Sequence, residues 1–158
     1  MSLRIGQGID VHRFSDDPHR PLVLGGLVIE GARGLGGHSD ADAVCHALAD
    51  AVLGAVGLGD LGRHFPDTDP VWEGANSLEL LTRVVQMAAD QGFSVANADC
   101  TIIADTPRLA PHTGAMVAKL SDVVGAPVSV KATRAEGLGA LGRAEGIACL
   151  AVVLLERT

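Results

Sequence analysis

The sequence predicts an α+β fold in which helices layer onto one face of a mixed β-sheet. Three observations carry that expectation. Short apolar segments of strand character alternate with longer stretches of helical periodicity along the whole chain. Glycines and prolines punctuate these segments one by one, and no repeat or low-complexity linker divides them. A length of 158 residues, 47% hydrophobic and 20% charged, suits one domain with a substantial core, so residues 1–158 are expected to fold as a single unit and global disorder is excluded.

The elements follow in order. Residues 3–12 read as a strand, and Leu22–Leu24 and Leu27–Glu30 as a short strand pair around Gly25 and Gly26. Ser39 followed by Asp42 has the spacing of a capping box, which places the first helix start at His38 and Ser39; an Ala-rich run then continues from Asp42 to about Val56 and stops at Gly57. The segment Leu58–Asn76 holds Pro66, Asp67, Thr68, Asp69 and Pro70, too many turn formers for helix or strand. Asn76 with Glu79 caps a second helix over 77–91, where Leu80, Leu81, Val84, Val85 and Ala88 recur at helical spacing. Val95–Ala104 reads as a strand, Leu109–Val124 as a third helix ended by Gly125, and Val128–Ala132 and Ile147–Leu155 as two further strands. The two late strands are small or apolar on both faces, yet three helices cover only one face of the sheet. The other face needs a cover, which predicts a homo-oligomer.

Composition narrows the function. Acidic residues number 19 against 12 lysines and arginines, a formal charge of -7, which speaks against a basic nucleic-acid face. Aromatics are 3% with no tyrosine, so a stacking platform for single strands is missing as well. Cys45, Cys100 and Cys149 lie far apart in apolar stretches and read as reduced core residues. The apolar run Ile147–Leu155 is far shorter than the roughly 20 residues of a membrane span, and Met1–Asp10 lacks a signal-peptide pattern. The expectation is a cytosolic protein without a membrane partner.

Asp10 and His12, two apart in a strand, project to the same side and can converge on one ion. Zinc accepts this mixture of carboxylate and imidazole, and catalytic zinc takes three protein ligands. Among His19, His38, His46, His64 and His112, only His46 lies within the first helix, on a stripe with Asp42 and Asp50 whose carboxylates could orient its ring. Asp-x-His and a helical histidine beside carboxylates also occur as plain hydrogen-bonded structure. Joined to a helix start at His38 and Ser39, whose free N–H groups would bind an anion, they point to metal-assisted chemistry on a phosphate-bearing molecule. Two glycine-rich turns, Leu58 to Gly62 and Glu136 to Gly142, either admit a ligand to the backbone or serve only as turns. Neither has the form of a Walker A loop.

Taken together these pieces are specific. Ile5, Gly6, Gly8, Asp10, Val11 and His12, then Gly37 to Asp40 with Asp42, then Gly59 to Gly62, Phe65 to Pro70, and finally Gly142, Arg143 and Glu145 to Ala148 occur in one order along the chain. This string resembles the 2-C-methyl-D-erythritol 2,4-cyclodiphosphate synthase family over essentially the whole length. The resemblance implies a phosphorus-oxygen lyase of the nonmevalonate isoprenoid pathway, a homotrimer with active sites at subunit interfaces. Its substrate would be 4-diphosphocytidyl-2-C-methyl-D-erythritol 2-phosphate, cyclised with release of CMP.

By position, Asp10, His12 and His46 match the zinc ligands, with Asp10 and His12 also at the substrate, and Glu136 matches a residue that helps hold Mg2+ or Mn2+ at the diphosphate. His38 and Ser39 match the phosphate-contacting pair, His38 as the group that steadies the transition state. Asp60, Leu61, Gly62 and Phe65, Pro66, Asp67, Thr68, Asp69 match the loop that holds the erythritol part. Ala104, Asp105, Thr106, Pro107, Arg108, Leu109 and Ala110 match the cytidine segment, and Thr133, Arg134, Ala135 and Glu136 the nucleotide-phosphate segment. Arg134 stands where the family carries a threonine assigned a transition-state role, and arginine can keep that role by pairing bidentately with phosphate. Ala140 stands where an aromatic lines the trimer's axial channel near Arg143 and Glu145, so occupancy by an isoprenoid diphosphate, held there in some relatives, should be altered. Arg134 and Ala140 also motivate a different class of reading: a poorly active trimer that binds nucleotide or isoprenoid diphosphate.

Overall fold

The computed structural model describes residues 2–158. Strands β1 (Leu3–Arg13), β4 (Phe93–Ile103), β5 (Val128–Thr133) and β6 (Gly146–Arg157) form one sheet in the order β1-β6-β4-β5. Three helices pack on it: α1 (Ala43–Ala55), α3 (Ser77–Asp90) and α4 (Thr113–Val124). β6 is antiparallel to β1 and β4, and β4 is parallel to β5, so the sheet is mixed as expected. β2 (Leu22–Leu24) and β3 (Leu27–Ile29) form a separate two-stranded ladder. Its two-residue loop, Gly25 and Gly26, has φ of +57 and +72, a turn suited to a right-twisted hairpin and strained for residues bearing a Cβ.

The core lies between the sheet and α1. Period-2 alternation sends Gly6, Gly8, Asp10 and His12 of β1 toward the helices, alongside Cys149, Ala151, Val153 and Leu155 of β6. α1 is buried along nearly its whole length and lies across β1 and β6, while α4 packs on β5 and α3 on α1. The opposite face keeps Ile5, Ile9, Val11 and Val152 exposed, Ile5 at 75%. Helices thus cover one face only, as the sequence predicts. Among the described residues no helix is long and apolar enough to cross a membrane.

Several local readings need correction. The first helix begins three residues later than Ser39 suggests. Asp42 is its N-cap, accepting from the N–H groups of Val44 and Cys45, and the same carboxylate accepts from Gly25 and Gly26 of the hairpin at 2.8 and 2.7 Å. The helix N-terminus is therefore filled by Asp42, and His38 and Ser39 lie in the preceding loop. The third helix starts at Thr113 instead of Leu109, because Pro111 steers Ala110 away from helical backbone. The turn-rich segment 58–76 does contain helix: α2 (Leu61–His64), capped by Asp60, and a 3-10 turn over Pro70–Trp72, capped by Asp69. A further short helix, α5 (Gly139–Gly142), lies in the second glycine-rich turn. β2 matches its predicted ends, β3 and the end of β4 stop one residue short, and the other strand ends that differ run one or two residues beyond.

Candidate functional site

The site begins with two missing side chains. A Cβ on Gly8 would lie 1.9 Å from the Ala47 carbonyl oxygen, and one on Gly6 would lie 1.8 Å from that of Ala51. With hydrogen there, the backbone of α1 settles directly on β1. Continuing along the same strand face, Asp10 and His12 then meet His46, the residue beside Ala47. His12 Nδ1 is 2.8 Å and His46 Nδ1 3.3 Å from Asp10 Oδ2, and the three donor atoms all lie within 4.8 Å of one another.

That geometry suits a divalent metal. Tetrahedral zinc with bonds of about 2.0–2.1 Å has neighbouring ligand atoms about 3.3 Å apart. Asp10 Oδ2 and His12 Nδ1 are buried and face each other without an aligned hydrogen bond, leaving two polar atoms that a cation would satisfy. Burial alone would raise the Asp10 pKa; the close approach and charge of the His12 and His46 rings outweigh it and bring it to about 2. For His46, burial lowers the pKa, but the Asp10 hydrogen bond and the charges of Asp10, Asp42 and Asp40 raise it above the ordinary imidazole value.

A prediction follows for the metal-free protein. His46 keeps its proton to higher pH than a free imidazole, so metal must displace a proton, and affinity falls as pH drops from roughly 8 to 5 while Asp10 stays ionised. The same linkage gives the metal-free fold a contribution from His46 that is full below its unfolded value of 6.5 and lost as pH rises through the raised one. The contribution of Asp10 is present above 3.8 and lost as pH falls toward about 2. Chelator competition across that range checks the affinity, and a flat profile contradicts the proton competition.

The stripe partners of His46 act elsewhere than the sequence suggests. Asp42 caps α1, and Asp50 accepts from the Leu61 N–H at 2.6 Å. Burial, with the charges of Asp60 and Asp10, raises the Asp50 pKa against that bond. The carboxylate beside the His46 ring is that of Asp10.

A cleft of about 250 Å³ opens beside the triad, lined by His12, His38, Ser39, His46, Leu61, Phe65 and Asp67. An adjoining hollow adds Asp10, Gly62 and Pro66. His38 Nε2 sits 3.3 Å from the Asp69 carbonyl oxygen, which ties the two motif loops together. Thr68 lies outside these linings, and Asp60 and Asp69 are occupied as caps. Trp72, packed edge-on to Phe65 at 4.9 Å, and Leu80 complete the wall. Sequence reasoning passed over both, although Trp72 is the only tryptophan of the chain.

A second cleft of about 380 Å³ gathers Ala104, Asp105, Pro107, Arg108, Leu109, Ala110, Thr133 and Arg134. Asp105 Oδ1 accepts from the Ala135 N–H at 3.2 Å and lies 3.6 Å from Arg134 Nε. Thr106 lines neither cleft, and Glu136, at φ +53, is not part of the Asp10, His12, His46 group. Ala140 and Arg143 lie outside both clefts, with Arg143 Nε 2.6 Å from Glu145 Oε1. The two clefts share no lining residue.

Comparison with known proteins agrees with this arrangement. A model of the YgbB family matches residues 3–156. The chain is 53% identical over 158 residues to the 2-C-methyl-D-erythritol 2,4-cyclodiphosphate synthase of Geobacillus kaustophilus, covering 98% of this chain and 99% of that one. It is 54% identical over 154 residues to the synthase of the same name from Symbiobacterium thermophilum, covering 96% and 97%. Among solved structures, a CDP-bound 2C-methyl-D-erythritol-2,4-cyclodiphosphate synthase superposes with a TM-score of 0.87 at 40% identity, over 97% of this chain and 100% of that one. The bifunctional IspDF of Campylobacter jejuni superposes with a TM-score of 0.94 at 40% identity, over 99% of this chain and 43% of the longer one. The fold, the convergent Asp-His-His group and these matches lead to one conclusion: the chain belongs to the YgbB family of 2-C-methyl-D-erythritol 2,4-cyclodiphosphate synthases.

Proposed function

We propose that the protein converts 4-diphosphocytidyl-2-C-methyl-D-erythritol 2-phosphate to 2-C-methyl-D-erythritol 2,4-cyclodiphosphate and CMP. The observation that carries this reading is the convergence of Asp10, His12 and His46 beside the His38 and Ser39 loop. An oxygen of the substrate's 2-phosphate attacks the β-phosphorus. The new P–O bond closes the ring as the bond to the CMP oxygen breaks, and CMP leaves with that electron pair. The substrate brings its own nucleophile, so the protein's task is alignment and charge stabilisation. Zinc held by Asp10, His12 and His46, and magnesium or manganese held with Glu136, supply positive charge at the diphosphate.

Each further group has a part in alignment. His38 turns its Nε2–H from the Asp69 carbonyl, 3.3 Å away, onto the phosphate oxygens as charge builds, and Ser39 holds the same group. Asp60, Leu61, Gly62 and the Phe65 to Asp69 segment enclose the erythritol part. The Ala104 to Ala110 cleft takes the cytidine, with Thr133, Arg134 and Ala135 at its phosphates. The Arg134 side chain is 70% exposed and free to turn from Asp105 onto a phosphate.

A homotrimer makes these parts meet. The two clefts are disjoint within one chain, which supports a site completed by a neighbouring subunit. The exposed Ile5, Ile9, Val11 and Val152 supply an apolar face to bury around the threefold axis. Sedimentation at micromolar concentration is expected to give the trimer, and a lone monomer overturns this assembly. An isoprenoid diphosphate in the axial channel near Ala140 and Arg143 would appear in native mass spectrometry as co-purified lipid.

Phosphorus NMR tests the reaction itself. With substrate, zinc and magnesium, the cyclic diphosphate doublets and CMP are expected, showing that Arg134 serves in place of threonine. Intact substrate beside zinc-loaded trimer would favour the binding-only alternative.

A further inference from the structure

We infer that Asp40 and Ser77 form a positioning pair that fixes which nitrogen of His46 faces the metal. The inference rests on the reading of Asp10, His12 and His46 as the metal site, and it concerns two residues that reading leaves without a role. Ser77 is the first residue of α3 and is 1% exposed. Its Oγ lies 2.9 Å from His46 Nε2, on the ring edge opposite Asp10. Asp40 grips Ser77 twice, accepting from its backbone N–H at 3.0 Å and from its hydroxyl. Asp40 is itself held by its own N–H, which donates to the Ala75 carbonyl at 3.1 Å, and by the Asp42 N–H at 3.2 Å.

Counting protons gives the direction of the chain. A carboxylate only accepts, so the one hydroxyl proton of Ser77 goes to Asp40. Ser77 Oγ is then left as an acceptor toward His46, which places the proton on Nε2. The lone pair of Nδ1 faces Asp10 and His12, where a metal ligand must present it. Ser39 follows from the same count. Its Oγ already accepts from the Ala41 N–H at 3.2 Å and meets the Nε2 proton at 3.2 Å, so its own hydroxyl proton has no acceptor there. Ser39 lines the cleft, so that proton is left free for a phosphate oxygen bound there.

The pair predicts a metal-affinity effect separable from turnover and from helix stability. Zinc affinity of the intact protein, measured by chelator competition, is expected to fall about 10- to 100-fold in Ser77→Ala. Asp40→Asn, which keeps the shape but weakens the acceptor, is expected to move in the same direction and carries the test should Ser77→Ala fold poorly. Asn76→Ala removes the cap of the same helix without touching the chain of bonds, so it lowers thermal stability while leaving zinc affinity within about twofold. Nitrogen-15 NMR of the zinc-loaded wild type is expected to show the His46 proton on Nε2, slow to exchange, and Ser77→Ala to make it exchange quickly. Wild-type zinc affinity in both Ser77→Ala and Asp40→Asn, or zinc on Nε2, overturns the inference. The functional reading fails separately: zinc behaviour as described with no cyclic product sinks the reaction and leaves the positioning pair standing.

Discussion

The His46→Ala protein is expected to lose stoichiometric zinc and, with it, about three orders of magnitude or more in kcat/KM, the scale of several kcal/mol of metal charge stabilisation. Asp10 and His12 alone leave two ligands where a catalytic zinc needs three. The loss is local because α1 remains pinned by Val44, Leu48, Val52 and Leu53, all buried. Substituting one partly buried ring costs the fold about 1–3 kcal/mol, so the variant stays folded with a modestly lower Tm. The cytidine cleft shares no residue with the metal cleft, so CMP affinity is expected to stay within about threefold of wild type. Elemental analysis beside CMP calorimetry reads both sides. Zinc retained at full stoichiometry means that His46 is not a ligand.

This site was legible in the sequence to the extent that its logic is local. Period-2 geometry puts Asp10 and His12 on one side of a strand, and His46 is the one histidine of the first helix, on a stripe with Asp42 and Asp50. The helix start was misread because Ser39, Asp40 and Asp42 are all capable caps. Asp42 prevails through its bonds to Gly25 and Gly26, a hairpin 16 and 17 residues away that no local pattern contains. The same distance hid Ser77, which joins the metal site only because α3 packs on α1. In segment 58–76 the turn formers point away from helix and strand, yet Asp60 and Asp69 each cap a short helical turn too brief for periodicity to register. Glycines 6 and 8 were visible as motif positions, while their purpose depends on the helix laid against them.

Gly8→Ala is expected to be severely damaging to both the fold and the metal site. Its new Cβ would meet the Ala47 carbonyl oxygen at 1.9 Å, the Ala51 nitrogen at 2.8 Å and the Ala47 carbonyl carbon at 2.9 Å. All three are backbone atoms of a helix buried along its length, so no side-chain rotation relieves the clash. Ordinary overpacking costs about 1–3 kcal/mol, and a clash with fixed backbone belongs in the upper tail, about 4–5 kcal/mol. At about 2–4 °C per kcal/mol for a chain of this size, the Tm is expected to drop by about 10–20 °C. Moving α1 outward also withdraws His46 from Asp10 and His12, so zinc affinity falls even in the fraction that folds. Gly114→Ala sets the comparison. It lies in α4 with nothing within 4 Å of its would-be Cβ, and restricting the unfolded chain there should add about 0.5–1 kcal/mol of stability. Thermal melts of the two variants, each with and without zinc, separate a clash at one helix–strand contact from a general intolerance of lost glycine. An unchanged melt and unchanged zinc affinity for Gly8→Ala would mean that the approach of α1 to β1 does not set the metal site.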